Sequence, residues 1–569
     1  MRAFNPPQIN GSGNGGEETD FAWGDLDKNG WDDLVVVRKQ PFTSTGRRTN
    51  ILLMNDLGTL TGSNLATASD VPGDNGFATA TNDRDVRMVD VDQDGWLDVV
   101  TATTLSDGLA KALSHPRVYM NLGEDGSGDW LGLRYEEARI PQIFTLDGSG
   151  NPLNPVAPRF CSVASGDVTG DGYPELYFGD YDSSGAGGGG QPGGLDVNNR
   201  LFINDGNGFF SDSRQTRMNS THLLSAFGAA AVIADMNGDG VNDIVKQTSL
   251  NPPQHIAISY NNPLNEGFFN IYDNVMDSQP YHVNTGDLNK DGKLDMVVTS
   301  DNQDRYRLNG GNDALGRVMW GTNHQFSFQS GGDDGFGSNT LIADLNMDGW
   351  PEAFTCDVDV DIGGFSRRMH IFHNLGVDGV NEGGFVTMRE QIGGGFAGVT
   401  GMTTTDTVGT HDVAVFDIDN DGVNDMVVSR NAGTFTWRNT STTVTTCQED
   451  RGLGGPGGET LEVCGLPLGT GGSATLALEG AEPFSVLVLL ISASDTQTFD
   501  PALGLSYISP LLFKVQFANG MGKRSFPVTG GSGHNGISEA YIQYLMTNAG
   551  SGTAEGWSTS NVLRIELEE

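Results

Sequence analysis

The chain has 569 residues, with 73 acids against 32 lysines and arginines and a formal net charge of −41. That balance argues against attraction to nucleic-acid phosphates and against an anionic membrane surface. The 81 glycines follow no Gly-X-Y period, so they read as many tight turns and loops rather than a collagen-like rod.

The N-terminal stretch MRAFNPPQINGSGNGG holds no apolar core of the length a secretory leader needs, so either a leader has been removed or export takes another route. From Phe21 onward a pattern begins that returns along most of the chain. A short strand (FAWGD, 21–25) enters an acidic loop (DLDKNGWDD, 25–33), and a β-branched run (LVVV, 34–37) leaves it. The loop recurs as DVDQDGWLD (90–98), DVTGDGYPE (167–175), DMNGDGVND (235–243), DLNKDGKLD (287–295), DLNMDGWPE (344–352) and DIDNDGVND (417–425).

Oxygen side chains at positions 1, 3, 5 and 9, around a glycine at position 6 that can take positive φ, form a shell of hard oxygen donors of the kind Ca²⁺ prefers. The backbone carbonyl of position 7 is the expected further ligand, with water completing the set. The candidate ligands are Asp25, Asp27, Asn29, Trp31 and Asp33 in the first loop and Asp90, Asp92, Asp94, Trp96 and Asp98 in the second. Loops three and four offer Asp167, Thr169, Asp171, Tyr173 and Glu175, then Asp235, Asn237, Asp239, Val241 and Asp243. Loops five to seven offer Asp287, Asn289, Asp291, Lys293 and Asp295; Asp344, Asn346, Asp348, Trp350 and Glu352; and Asp417, Asp419, Asp421, Val423 and Asp425. Asp, Asn and Gly also make ordinary hairpin turns without a metal, but such a turn needs no acid at position 9, and all seven copies have one.

Up to seven Ca²⁺ ions would bring the formal charge to about −27 and couple ion binding to stability. Loops 90–98 and 417–425 carry four carboxylates each and are expected to be the tightest. An EF-hand is excluded by its twelfth position, occupied here by Val36, Thr101, Phe178, Lys246, Val298, Thr355 and Val428.

A third strand ending in Asn follows each pair: ILLMND (51–56), RVYMNLG (117–123), RLFIND (200–205) and MHIFHNLG (369–376), with weaker forms at 258–262, 306–310 and 435–439. Seven such small antiparallel units call for a repeat fold. Closing them in a ring gives an all-β, seven-bladed β-propeller. Arg2-Ala3-Phe4-Asn5 is the favoured closing strand, with 442–446 as the alternative.

These motifs resemble the FG-GAP/VCBS repeat proteins, whose blades carry a D-x-D-x-D-G-x-x-D loop, a strand and an N-x-G turn, and among whose relatives are integrin α-subunit heads, secreted lectins and lyases. The resemblance covers about residues 1–445 and implies structural calcium sites on one propeller face. Asn29, Thr169, Asn237, Asn289 and Asn346 depart from its carboxylate pattern, and Glu175 and Glu352 replace its final Asp.

Long inserts lie between the repeats at 138–160, 180–198 and 311–335, and 138–160, with its aromatic, Pro and acidic residues, is the better candidate for a binding edge. Residues 1–447 are assigned to the propeller, 448–465 to a Gly-rich joint, and 466–569 to a small antiparallel β-sandwich with strands at 473–480, 484–492, 511–520 and 561–569. This last segment resembles the C-terminal domains appended to secreted bacterial proteins. Cys447 and Cys464 flank the joint and could pair, whereas Cys161 and Cys356 read as buried thiols. The longest apolar run, FSVLVLLI at 484–491, is too short to span a bilayer.

No G-x-S-x-G, H-E-x-x-H, Walker or C-x-x-C motif is present. His370 and His373 fall on opposite faces of a strand and read as packing or surface residues rather than a zinc pair. His411-Asp412 invites a general-base role, but Asp85 holds the same place before loop two without a His. Asp357, Asp359 and Asp361 read as one polar strand face. The expected function is a secreted or cell-surface calcium-binding propeller that recognises an extracellular glycan or protein. The alternatives are a polysaccharide lyase or related enzyme, drawing on Arg134, Arg200, Arg305, Arg307, Arg367 and Arg368 for a basic channel, and a structural matrix component.

Overall fold

The computed structural model describes residues 2–4, 18–39, 46–146, 151–181, 198–213, 215–224, 227–249, 254–277, 279–300, 303–326, 328, 337–347, 349–357, 368–376, 386–390, 402–430 and 433–439, and beyond 440 the strands named below. The chain divides into two compact units, Met1–Thr440 and Ser441–Glu569.

The first unit is a seven-bladed β-propeller. Blade one runs Glu18–Gly24, Asp33–Lys39, Ile51–Asp56 and Thr59–Ser63, each strand hydrogen-bonded to the next and antiparallel to it. Six more sheets repeat this order, with first strands Asp83–Val89, Phe160–Gly166, Ala231–Ala234, Pro280–Gly286, Gly337–Ala343 and Thr410–Phe416. Arg2–Phe4 pairs with Gly433–Arg438 as the outermost strand of blade seven, so the N-terminus closes the ring. This is the closure expected of 2–5.

The second strands explain the continuous apolar runs that leave each acidic loop. Leu34 and Val36 enter a core layer shared with blade seven, while Val35 and Val37 enter one shared with blade two. Such layers fill all seven junctions between neighbouring blades. A strand buried on both faces has no reason to alternate polar and apolar residues. Cys161 and Cys356 are buried in these blades and are not joined in a disulfide.

The second unit holds antiparallel sheets. One comprises Glu449–Asp450, Leu563–Glu566, Glu539–Thr547, Val486–Ser492 and Leu512–Phe517, with Trp557–Thr559 added at Glu539–Thr547. Others pair Thr460–Gly465, Ser473–Glu479 and Arg524–Thr529, and Gln497–Asp500 with Leu505–Ile508. The proposed Cys447–Cys464 pairing lies outside the described residues. No helix among them is long and apolar enough to cross a membrane.

Candidate metal loops and the central channel

Each acidic loop joins the first strand of a blade to its second, and one set of main-chain bonds shapes all seven. The position-1 carboxylate accepts the N–H of the position-6 glycine: Gly30 to Asp25 at 2.9 Å, Gly95 to Asp90 at 2.8 Å, Gly172 to Asp167 at 2.8 Å and Gly240 to Asp235 at 2.8 Å. The same bond is 2.7 Å long at Asp287, Asp344 and Asp417. These glycines have φ near 80–90°, for example 89° at Gly95, as the turn requires. The position-5 side chain accepts the position-7 N–H, as Asp94 does from Trp96 at 2.9 Å.

Three loops gather their carboxylates closely. Asp25, Asp27 and Asp33, then Asp90, Asp92 and Asp94, then Asp417, Asp419 and Asp425 each offer oxygens within 4.8 Å of one another. Asp348 of loop six lies outside the described residues.

The position-9 acid also holds the backbone. Asp98 accepts Val91 N–H at 2.9 Å on one oxygen and Asn121 N–H at 2.7 Å on the other. Asp33, Asp243, Asp295 and Asp425 repeat the arrangement with Asn55, Asn261, Asn309 and Asn439. Glu352 accepts Leu345 N–H and, in addition, His373 Nδ1–H at 2.9 Å. An acid at position 9 therefore has a structural task apart from any ion, and its presence in every copy does not by itself separate a metal loop from a turn. Burial pushes Asp98 and Asp243 up to about 8 and Asp33, Asp295 and Asp425 up to about 7. A bound cation would restore their ionised form.

A calcium ion needs oxygens that are not already spent on donors. Asp92 Oδ1 and Asp419 Oδ1 meet that test: both are buried at position 3 of the two four-carboxylate loops and take no hydrogen bond. The other Asp419 oxygen accepts from Arg438 Nε at 2.9 Å. The donor set, positions 1 and 3 with position 5 or position 9, thus fits a hard divalent ion.

Two features of the loops escaped sequence reading. Position 4 is left-handed in every loop, although it is Gly only in loops three and four: φ is 58° at Lys28, 56° at Gln93, 56° at Lys290, 57° at Met347 and 51° at Asn420. Four of these side chains reach the next loop around the ring. Lys28 sits 3.9 Å over the Trp96 ring and Lys290 4.7 Å over Trp350, while Gln93 donates to Gly172 O and Asn420 to Gly30 O at 2.9 Å.

The second feature is what the third-strand Asn bonds, since its place was read from sequence but its partners were not. Asn121 Nδ2 donates to Leu97 O in its own blade at 3.0 Å and to Leu26 O in the preceding blade at 2.9 Å. Asn55, Asn204, Asn261, Asn309, Asn374 and Asn439 make the same bond to the preceding loop. The N-x-G signature follows from it, because the Asn Oδ1 accepts the N–H two residues on, as at Gly123 and Gly376, each 3.0 Å away.

The first strands line a central cavity of about 390 Å³. Asp20 and Asp412 share a hydrogen bond there; burial and then Asp412 push Asp20 well above the usual carboxylate range, and burial pushes Asp412 up to about 6. Arg87 Nη1 pairs with Asp85 at 2.6 Å. Burial, with Arg84 and Arg87 nearby, holds the His282 imidazole far below its ordinary value, hence neutral. The acids also cap backbone groups: Asp412 accepts Phe21 N–H at 3.0 Å and Asp85 accepts Val163 N–H at 2.7 Å, each from the next blade. Asp412 thus bonds across a blade junction as Asp85 does, rather than within a turn.

The arginines expected in a basic channel are elsewhere. Arg134 bonds Glu136, Arg200 lies buried against Asp212 at 3.5 Å, Arg307 bonds Gly321 O, and Arg368 pairs with Glu390 at 2.5 Å. Arg305 is half-buried in the third strand of blade five, and Arg367 lies outside the described residues. Arg87, not singled out from sequence, is the arginine lining the cavity. His370 and His373 bond separate carboxylates, Glu390 at 2.8 Å and Glu352, in keeping with opposite strand faces. Asp359 and Asp361, and the side chain of Asp357, lie outside the described residues.

The FG-GAP-like repeat profile matches residues 167–245, from position 1 of loop three into the strand after loop four. No curated protein matches. A solved structure described as the Dos1 propeller is similar over 86% of this chain and 95% of its own, at 8% identity and a TM-score of 0.31. The chain carries an FG-GAP-like repeat at 167–245 within its seven-bladed propeller.

Proposed function

We propose that this propeller is a calcium-stabilised recognition protein, acting outside the cell or at its surface on a glycan or protein ligand. The observation that carries the metal reading is the pair of buried, undonated oxygens, Asp92 Oδ1 and Asp419 Oδ1, inside carboxylate clusters. Ca²⁺ is favoured over Mg²⁺ because a loop mixing side-chain and carbonyl oxygens makes a larger cage than the tight Mg²⁺ octahedron. The bound ion would neutralise carboxylates that otherwise repel one another. Rigid blades presenting variable connecting loops are the usual platform for binding specificity.

Calorimetry of chelator-stripped protein should show several Ca²⁺ sites, and no uptake or a clear Mg²⁺ preference would refute the reading. Asp92→Asn gives a sharper test than a change at Asp90, whose carboxylate also bonds Gly95 N–H. It should lower the melting temperature in Ca²⁺ and leave it unchanged or raised in excess chelator. Equal losses in both conditions would show that Asp92 acts through the turn alone.

The channel cluster favours a second reading, an enzyme. Acids, an arginine and a histidine do meet there, but about 390 Å³ suits a small molecule rather than a polysaccharide chain. The channel carboxylates are moreover committed to backbone N–H groups. Turnover of a polysaccharide panel that is abolished by Arg87→Ala would favour the enzyme.

A further inference from the structure

The first strands of the blades give the central channel a lengthwise order. Asp20, Asp85, His282 and Asp412 each stand five residues before the position-1 acid of their blade, and Arg87 and Asn284 stand three before it. Trp23, Met88 and Ile233 stand two before it. Successive residues advance about 3.3 Å along a strand. The cavity therefore runs from a polar end, remote from the acidic loops, to an apolar wall beside them.

The polar end is held in place, yet part of its hydrogen-bonding capacity is unused. Asp85 accepts Val86 N–H at 2.8 Å and Arg87 Nη1–H on one oxygen, but only Val163 N–H on the other, which keeps a lone pair. Asn284 donates one Nδ2–H to Thr340 O at 2.9 Å and accepts Thr285 N–H at 2.8 Å, which leaves its second N–H and a lone pair. Arg87 uses Nη1 on Asp85 and on Val86 O, whereas its Nε and Nη2 edge bonds no described residue and its side chain is 35% exposed. Thr340 N–H donates to His282 Nδ1 at 3.2 Å, so the neutral ring carries its proton on Nε2, which also bonds no described residue.

Charge decides what these groups can take. Three acids in the lining face one arginine; Asp20 and Asp412 share a hydrogen bond and hence a proton, and His282 is neutral. Arg84, which also acts on His282, stands over the Phe227 ring at 5.3 Å. An anion would meet the three acids, and a cation would lie against Arg87. A neutral ligand avoids both repulsions, but it must offer acceptors to Arg87 and His282 and donors to Asp85 and Asn284. A hydroxyl group does both at one atom. We propose that the channel binds one neutral hexose, free or at the end of a glycan, with Arg87 and His282 donating to its hydroxyl oxygens, Asp85 and Asn284 accepting from its hydroxyl groups, and the Trp23–Met88 wall taking its C–H face. The cavity of about 390 Å³ admits a single sugar ring. The proposal rests on the recognition reading, to which it gives a site and a ligand class, and it does not involve the metal loops.

The test is calorimetric titration of the full, calcium-loaded chain with glucose, galactose and mannose, each beside its uronic acid and its 2-amino sugar. At least one hexose should bind, with its uronic acid and amino sugar each weaker by about tenfold or more. Arg87→Met should weaken that hexose by about tenfold. Ser165→Trp fills the cavity from a lining position whose side chain makes no hydrogen bond among the described residues, and should weaken it as much with the melting temperature retained. If Arg87→Met does not fold, Ser165→Trp decides by itself. A hexose matched by its uronic acid or amino sugar, or an affinity unchanged in either folded variant, would overturn the proposal. So would absence of hexose binding by a folded protein that takes up calcium, a result that leaves the metal-stabilised scaffold standing. A disaccharide carrying the bound hexose at its non-reducing end identifies the source: tighter binding than the free hexose marks a glycan end, weaker binding a free sugar.

Discussion

Single side chains in this protein serve two neighbours at once. Asn121 satisfies two carbonyls with one amide, one in its own blade and one in the blade before it. Asn121→Ala leaves both buried carbonyls without that donor and should cost about 2–3 kcal/mol in urea unfolding. Glu390 predicts a pH dependence. Burial would raise its pKa, but hydrogen bonds from His370 and Arg368 outweigh that and bring it down to about 2. A depressed carboxyl contributes stability above its unfolded value, so about 3 kcal/mol should be present at neutral pH and be lost as pH falls from about 4.5 toward 2. Glu390→Gln should flatten that part of the stability-versus-pH curve, and an unchanged curve would show the pair contributes nothing.

At the scale of the loop, position 4 is left-handed in every copy, and in four of the five non-glycine copies its side chain reaches the next loop. A non-glycine residue there costs about 1–2 kcal/mol of local strain. Lys28 offsets this through Trp96, whereas Met347 has no contact of that kind among the described residues. Met347→Gly should therefore be more favourable than Lys28→Gly by about 0.5–1 kcal/mol, the size of an exposed cation–π contact. Thermal melts of the two variants check this, and equal shifts would mean the Lys28–Trp96 contact holds nothing together. Position 9 works at the same scale: its carboxylate ties the loop's start to the third strand within one blade.

For the whole ring, closure depends on three residues far from their partner in sequence. Arg2–Phe4 pairs with Thr436–Arg438, register Ala3 to Trp437. Deleting residues 1–5 removes that strand and leaves Gly433–Arg438 as an open edge. The variant should lose about 2 kcal/mol and associate with itself through the freed edge. Sedimentation and thermal melts test both outcomes, and an unchanged monomer would show that the edge strand is dispensable.

The sequence by itself determined the blade count, the loop positions and most propeller strands, because each unit repeats a local rule: a glycine turn, a run buried on both sides and an Asn that ends the third strand. It determined much less of the second unit, where strands such as Arg524–Thr529 and Glu539–Thr547 belong to no repeat that could reinforce a weak signal. Relations between blades were decided only in the tertiary structure. The Asn121 bond to Leu26 spans 95 residues, and the Asp412 bond to Phe21 spans 391. The Asn recurs in every repeat, but nothing in the local pattern says which carbonyl or N–H the ring will bring alongside. The same reason hid the channel cluster, whose residues come from separate blades and meet only once the ring has closed.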